Sequence, residues 1–319
     1  MRRYAVRLLA GAFIPWFVAA PASAHGPMAP PANLWAAWTA DPYVLVPLVI
    51  AHWLFGRGVV RLWRRAGRVP AALSWSHVGL FAAGEIVLLI ALVSPLEALA
   101  GLLLSAHMAQ HLLLMTVAPL LLLAGRPQIA FAWALPRPWT EAIALDDGWR
   151  LPRRLFQHSV RPFPAAALHG LALWIWHAPA AYEAALRSTA LHALEHAMFF
   201  GTALLFWQSM ISAARVASTT AAAMLATLIT VIHTGFLGAL LTFAPRPLYE
   251  SYAATVPTLG LDVLNDQQLA GILMWVPSGL AYLLAVVMLA WRLLGGGDTT
   301  ELEVSSSPGS RELPRSPAE

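Results

Sequence analysis

The chain has 319 residues, 59% of them hydrophobic and only 11% charged, with a mean hydropathy of +0.64. A typical soluble domain carries about 25% charged residues, so this sequence lacks the polar skin that a water-soluble fold of its size requires. Every basic residue is an Arg, there is no Cys, and the formal charge is +4. The arginines sit in short segments between long apolar runs, which suits membrane topology and anionic headgroups and gives no nucleic-acid footprint. Without Cys there is no disulfide, no thiolate metal site and no thiol redox chemistry. A soft metal would have to be held by His, Met, carboxylate or backbone groups.

In chain order, the basic stretch Met1 to Arg7, the apolar stretch Leu8 to Ala20 and Ala22-Ser23-Ala24 read as a signal peptide over 1–24, cleaved after Ala24. His25 would then be the mature first residue, where a terminal amine beside an imidazole can chelate a cupric ion. A short external lead-in covers 25–41. Seven apolar segments follow, at 42–60, 75–94, 104–124, 163–180, 190–209, 217–243 and 267–293, most of them near the roughly 20 residues that cross a bilayer. The expected fold is therefore all-α: a polytopic bundle of seven transmembrane helices over 42–293, ahead of a disordered cytoplasmic tail over 294–319.

The connections alternate in charge. Arg57, Arg61, Arg64, Arg65 and Arg68 crowd the first, and Arg126, Arg137, Arg150, Arg153, Arg154 and Arg161 the third; Arg215 lies in the fifth, and Arg292, Arg311 and Arg315 at or beyond the last helix. The other connections hold only Arg187 and Arg246. The positive-inside rule puts the arginine-rich loops in the cytoplasm and the mature N-terminus outside. Residues 125–162, with Trp133, Trp139 and Trp149, are expected to lie along the cytoplasmic surface.

Ionisable groups at membrane depth are costly and mark function or a packed polar contact. His107 and His111 are four apart and share a helix face, and His192 and His196 repeat that spacing with Glu195 between them. His177, His233 and Asp266 fall near the same, external depth. Imidazole suits copper, zinc or iron, and a carboxylate can ligate or orient an imidazole. Glu195 reads as setting imidazole tautomer and charge. Glu85, in the second segment, needs a partner and could take one of the histidines, while His169 lies deeper and can bond within the bundle. Met108, Met115, Met198 and Met274 offer thioethers, which are also ordinary packing material.

At these residues the sequence resembles the CtaG-type (caa3-type) cytochrome c oxidase assembly factors. The resemblance spans about 40–293. It rests on His107-Met-Ala-Gln-His111 with the run through Pro119, Trp174-Ile-Trp-His177-Ala-Pro179, His192-Ala-Leu-Glu-His196 with Phe-Phe-Gly201, and Asp266-Gln-Gln-Leu-Ala-Gly271-Ile-Leu-Met-Trp275. It implies a bacterial inner-membrane protein that helps assemble haem–copper oxidase, with copper inserted from the periplasmic side. Oxidase subunits, and other copper chaperones, would be its partners. The expected primary ligands are His107, His111, His192 and His196, with His177, His233 and Asp266 as further ligands or supports.

Other functions fit the same residues: a b-type cytochrome with axial histidines, a copper transporter using Glu85, or a metal-free scaffold. Catalysis has little support. No nucleophile stands beside a general base, and the match of His192-Ala-Leu-Glu195-His196 to an inverted zinc-peptidase order is a short pattern on its own.

Overall fold

The structure is a computed structural model that describes residues 33–214 and 217–295. The predicted signal peptide, His25, Arg215 and the tail beyond 295 lie outside the described residues. Helices and the loops between them make up the described chain, with no strand among those residues.

The first long helix, α1 (Pro42–Ala66), starts at Asp41, whose carboxylate accepts the Tyr43 N–H at 2.8 Å, with Pro42 in the first turn. It stops at Gly67, whose φ of 65° is the left-handed conformation that glycine adopts without a Cβ clash. Helices α2 (Trp75–Leu92), α3 (Pro95–Ala100) and α4 (Leu104–Leu112) follow, and α4 runs through a π-helical turn, Leu113–Val117, into α5 (Ala118–Ala124).

The π turn accommodates Pro119. Pro119 has no N–H to give the Met115 carbonyl four residues back, and the ladder shifts so that Ala118 N–H reaches Leu113 O. The freed Met115 carbonyl accepts the Trp207 indole N–H at 2.9 Å, so no backbone acceptor is stranded in the apolar interior.

The connection predicted to lie along the surface folds as α6 (Pro127–Ala134), α7 (Arg137–Leu145) and α8 (Arg150–Ser159). Only part of it stays outside the bundle. Helix α6 packs back on α1, where the Ala130 carbonyl sits so close to Gly58 that a Cβ would meet it at 1.8 Å. Helix α8 keeps the amphipathic character, with exposed Leu151 and Leu155 beside Arg150 and Arg154.

The second half contains α9 (Pro162–His177), α10 (Pro179–Arg187), α11 (Thr189–Ala213), α12 (Ala217–Thr242) and α13 (Val263–Gly295). Helix α13 packs along α12 and against α4, and α9 lies between α11 and α12. One apolar core is built around Phe199, Phe206, Trp207 and Tyr282, and a second around Phe55, Phe81 and Phe131, with the Phe55 and Phe81 rings stacked at 3.8 Å. The outer surface is apolar too: Ile232 is 71% and Leu284 64% exposed, which favours lipid over water as their surroundings.

Among the described residues, five helical stretches are long and apolar enough to cross a membrane: Pro42–Ala66, Ala71–Leu92, Leu104–Ala124, Ser218–Thr242 and Val263–Leu294. The other two predicted segments are helices of a different kind. Helix α9 has 16 residues, about 24 Å at 1.5 Å per residue. Helix α11 is longer but carries His192, Glu195, His196 and Gln208. Their polar content serves the site described next.

Candidate metal centre

Helix α4 presents His107 and His111 one turn apart, and α11 presents His192 and His196 in the same way. The two faces meet. Ring centroids lie 5.4 Å apart for His107 and His192, 5.5 Å for His111 and His196, and 4.2 Å for His192 and His196. The Nε2 atoms of His107 and His111 are 2.9 Å apart. His177, at the end of α9, joins from the side with its ring 6.1 Å from that of His111. His107, His111, His177 and Glu195 are buried, while His192 and His196 are half-buried.

Hydrogen bonds fix where several protons sit. The Leu173 carbonyl can only accept, so the 2.8 Å contact from His177 Nδ1 places the proton there. Its buried Nε2 is left with a lone pair and no partner. Tyr252 donates to the Ala100 carbonyl at 3.1 Å, and its oxygen stands 3.1 Å from His107 Nδ1 and 2.9 Å from the Tyr182 hydroxyl. One assignment satisfies all three contacts: His107 Nδ1–H and Tyr182 O–H both donate to Tyr252. The His107 lone pair then lies on Nε2, inside the cluster. Burial holds the Tyr182 and Tyr252 phenols well above the ordinary tyrosine range, so they keep their protons.

The remaining inventory is unusual for a packed interior. His111 Nδ1, His196 Nε2 and both carboxylate oxygens of Glu195 are buried without a hydrogen-bond partner, and Glu195 Oε1 is 3.9 Å from His111 Nε2. Buried polar groups are ordinarily paired, and an uncompensated carboxylate in low dielectric is costly. Two triads bring one donor atom per residue within 4.8 Å of one another: His107, His192 and His196, and His107, His111 and Glu195. Such a donor set can hold a borderline or soft cation.

Residues 53–295 match a family described as cytochrome c oxidase caa3 assembly factor. The chain belongs to that family. Neither the comparison with curated proteins nor that with solved structures returned a match.

In this caa3 assembly factor the histidine cluster lies wholly within the matched span, but not every predicted residue joins it. His233 stands apart. It packs against Gly170, seven residues before His177 on α9, and so lies about 10 Å deeper along that helix. The reason is axial position, which a count of residues along a separate helix does not fix. Asp266 is near the cluster but already engaged: its carboxylate accepts Leu104 N–H at 2.8 Å, Ser105 N–H at 3.3 Å and the Ser105 hydroxyl. It caps the helix that carries His107 and His111, whose own N-cap, Leu103, offers no side-chain acceptor.

Glu195 makes no hydrogen bond to an imidazole; its Oε1 stands 3.9 Å from His111 Nε2. The bonds that fix tautomers come from Tyr252 and the Leu173 carbonyl. Glu85 finds its histidine in His52, at 2.8 Å, on the α1–α2 side. His169 bonds Thr202 at 3.2 Å and Tyr282 at 3.0 Å. The Met198 thioether accepts from Trp176 at 3.2 Å, and Met108 and Met274 belong to the apolar core.

Sequence reasoning missed the cover of the site. The connection between α12 and α13 makes two 3₁₀ turns, Glu250–Ala253 and Val256–Leu259. It is tied down by Tyr249 donating to the His177 carbonyl at 2.9 Å, Thr255 donating to the Leu102 carbonyl at 2.9 Å, and Ser251 N–H donating to Glu183 at 3.0 Å. The available signal was the pair of tyrosines, Tyr249 and Tyr252, in an otherwise ordinary loop.

Proposed function

We propose that this caa3 assembly factor holds a copper ion in the α4–α11 histidine cluster and passes it to cytochrome c oxidase during assembly of the enzyme. The observation that carries the reading is the convergence of His107, His111, His192 and His196, together with buried nitrogens and a carboxylate that no protein group satisfies. Copper is favoured because a haem–copper oxidase requires it and imidazole is a good ligand for it. The role is that of a carrier, with no reaction catalysed on the way.

In this reading α9 and α11 complete a seven-span bundle with the five more apolar helices. A cleaved signal precedes it, the cluster lies toward the periplasmic side of the inner membrane, and the C-terminus is cytoplasmic. The partners are oxidase subunits and the lipid bilayer, with upstream copper chaperones as the source of the ion.

The test is made in cells. The chain is replaced by a variant with His107, His111, His192 and His196 all changed to Ala, and membrane insertion is verified by immunoblot. Cytochrome c oxidase is then purified and its copper-to-haem ratio measured. The expected result is oxidase depleted of copper. Oxidase with full copper content beside a stably inserted variant would refute the reading and leave a metal-free scaffold.

A further inference from the structure

The cluster contains two donor sets of different chemistry, and they share one residue. His107, His192 and His196 form an all-imidazole set, while His107, His111 and Glu195 form a set with a carboxylate. Their access differs as well. His107, His192 and His196 line a groove of about 2380 Å³ that runs beside α11, whereas His111 and Glu195 lie behind them and do not line it. Because Nδ1 of His107 is engaged by Tyr252, this residue has one ring nitrogen to offer and can serve one set at a time.

We propose that the cluster is a two-station metal site: an outer, neutral imidazole station for a cuprous ion and an inner station, with Glu195 as a ligand, for a divalent ion, with His107 shared between them. The inference rests on the metal-handling reading above. A monovalent ion in the outer station leaves one positive charge in the low-dielectric interior, while a divalent ion there would leave two. The Glu195 carboxylate removes one of those charges at the inner station. Its oxygen is a hard donor that suits a divalent ion better than Cu(I). The two unpartnered carboxylate oxygens, buried beside His111, are what a packed protein interior would otherwise exclude.

The experiment uses the full-length protein in detergent, with Cu(I) added without oxygen and Zn(II) as the redox-silent divalent probe, each titrated against a competing chelator. Glu195→Gln keeps the side-chain shape and is expected to weaken Zn(II) on the order of 100-fold, with Cu(I) affinity changed less than about threefold. His192→Ala with His196→Ala is expected to do the reverse. X-ray absorption on the unmodified protein needs no variant to fold: nitrogen-only coordination for Cu(I) and mixed nitrogen and oxygen coordination for Zn(II) are expected. With both ions present, total metal should stay near one per chain.

An E195Q variant that weakens both ions equally, or neither, would overturn the proposal, the second result marking Glu195 as a neutral structural acid. Identical coordination of the two ions, two ions bound together, or Cu(I) binding with no Zn(II) binding would also overturn it while leaving the copper-carrier reading intact. Binding of neither ion to the unmodified protein would instead defeat that reading itself.

Discussion

Tyr252 bonds His107 and Asp266 caps the helix that carries His107 and His111, and each makes a different prediction. Replacing Tyr252 by Phe removes the acceptor for His107 Nδ1–H. Loss of such a supporting bond typically lowers metal affinity 10- to 100-fold, so Y252F should weaken Cu(I) binding by about tenfold in a chelator competition while leaving stoichiometry near its original value. Asp266→Asn removes the charge from the cap on α4 and should cost about 1–2 kcal/mol of stability, read as a lower melting temperature, with copper stoichiometry retained. Loss of copper from a folded D266N protein would make Asp266 a ligand after all.

Glu97 gives a pH prediction. It lies in α3, outside the long apolar helices, and its carboxyl accepts a hydrogen bond from the Gln110 side-chain amide. Burial pushes its carboxyl up to about 7, and Asp41 nearby adds to the rise while the Gln110 bond opposes it. A folded carboxyl that holds its proton longer than the unfolded one loses stability as pH rises. That contribution is complete below the ordinary carboxyl range, near pH 4.5, and gone above about pH 7. With partial exposure discounted, the loss is on the order of 1 kcal/mol, or about 2–4 °C. Melting curves at pH 5 and pH 8 should show it, and Glu97→Gln should flatten the difference.

At the level of the elements, the joint between α4 and α5 sets the height and rotation of the His107–His111 face. Trp207→Phe strands the Met115 carbonyl that Pro119 released, and should cost about 1–3 kcal/mol. The same change should disturb copper affinity, since α4 and α11 both shift when their bond across the interface is lost. An unchanged melting temperature would show that water or another donor reaches that carbonyl. None of this was readable from the 104–124 run, which looked like one continuous helix. A proline inside an apolar stretch announces an irregularity, but the π turn and the indole that satisfies it depend on a residue 92 positions away.

For the whole molecule, the apolar runs reported the helices well because length and composition alone decide what can cross a bilayer. The spacing of four in His107/His111 and His192/His196 likewise reported shared faces, since helix geometry dictates it. Convergence of the two faces was a different matter. It depends on how each helix is rotated and placed against the other, which spacing within one helix does not encode. His233 shows the consequence: a comparable apparent depth, a different place. Asp266 shows another, because a carboxylate's proximity to a cluster does not say whether its oxygens are already committed to a helix end. The tyrosine cover was illegible for a third reason, since its contacts all join segments far apart in the chain.

If the converged histidines hold copper, the metal content of the purified protein depends on them. The protein, purified in detergent and loaded with Cu(I) without oxygen, should carry close to one copper per chain by mass spectrometry. A variant lacking His107, His111, His192 and His196 should carry almost none. An unmodified protein that retains no copper, or that carries iron with a haem absorption band, would contradict the account.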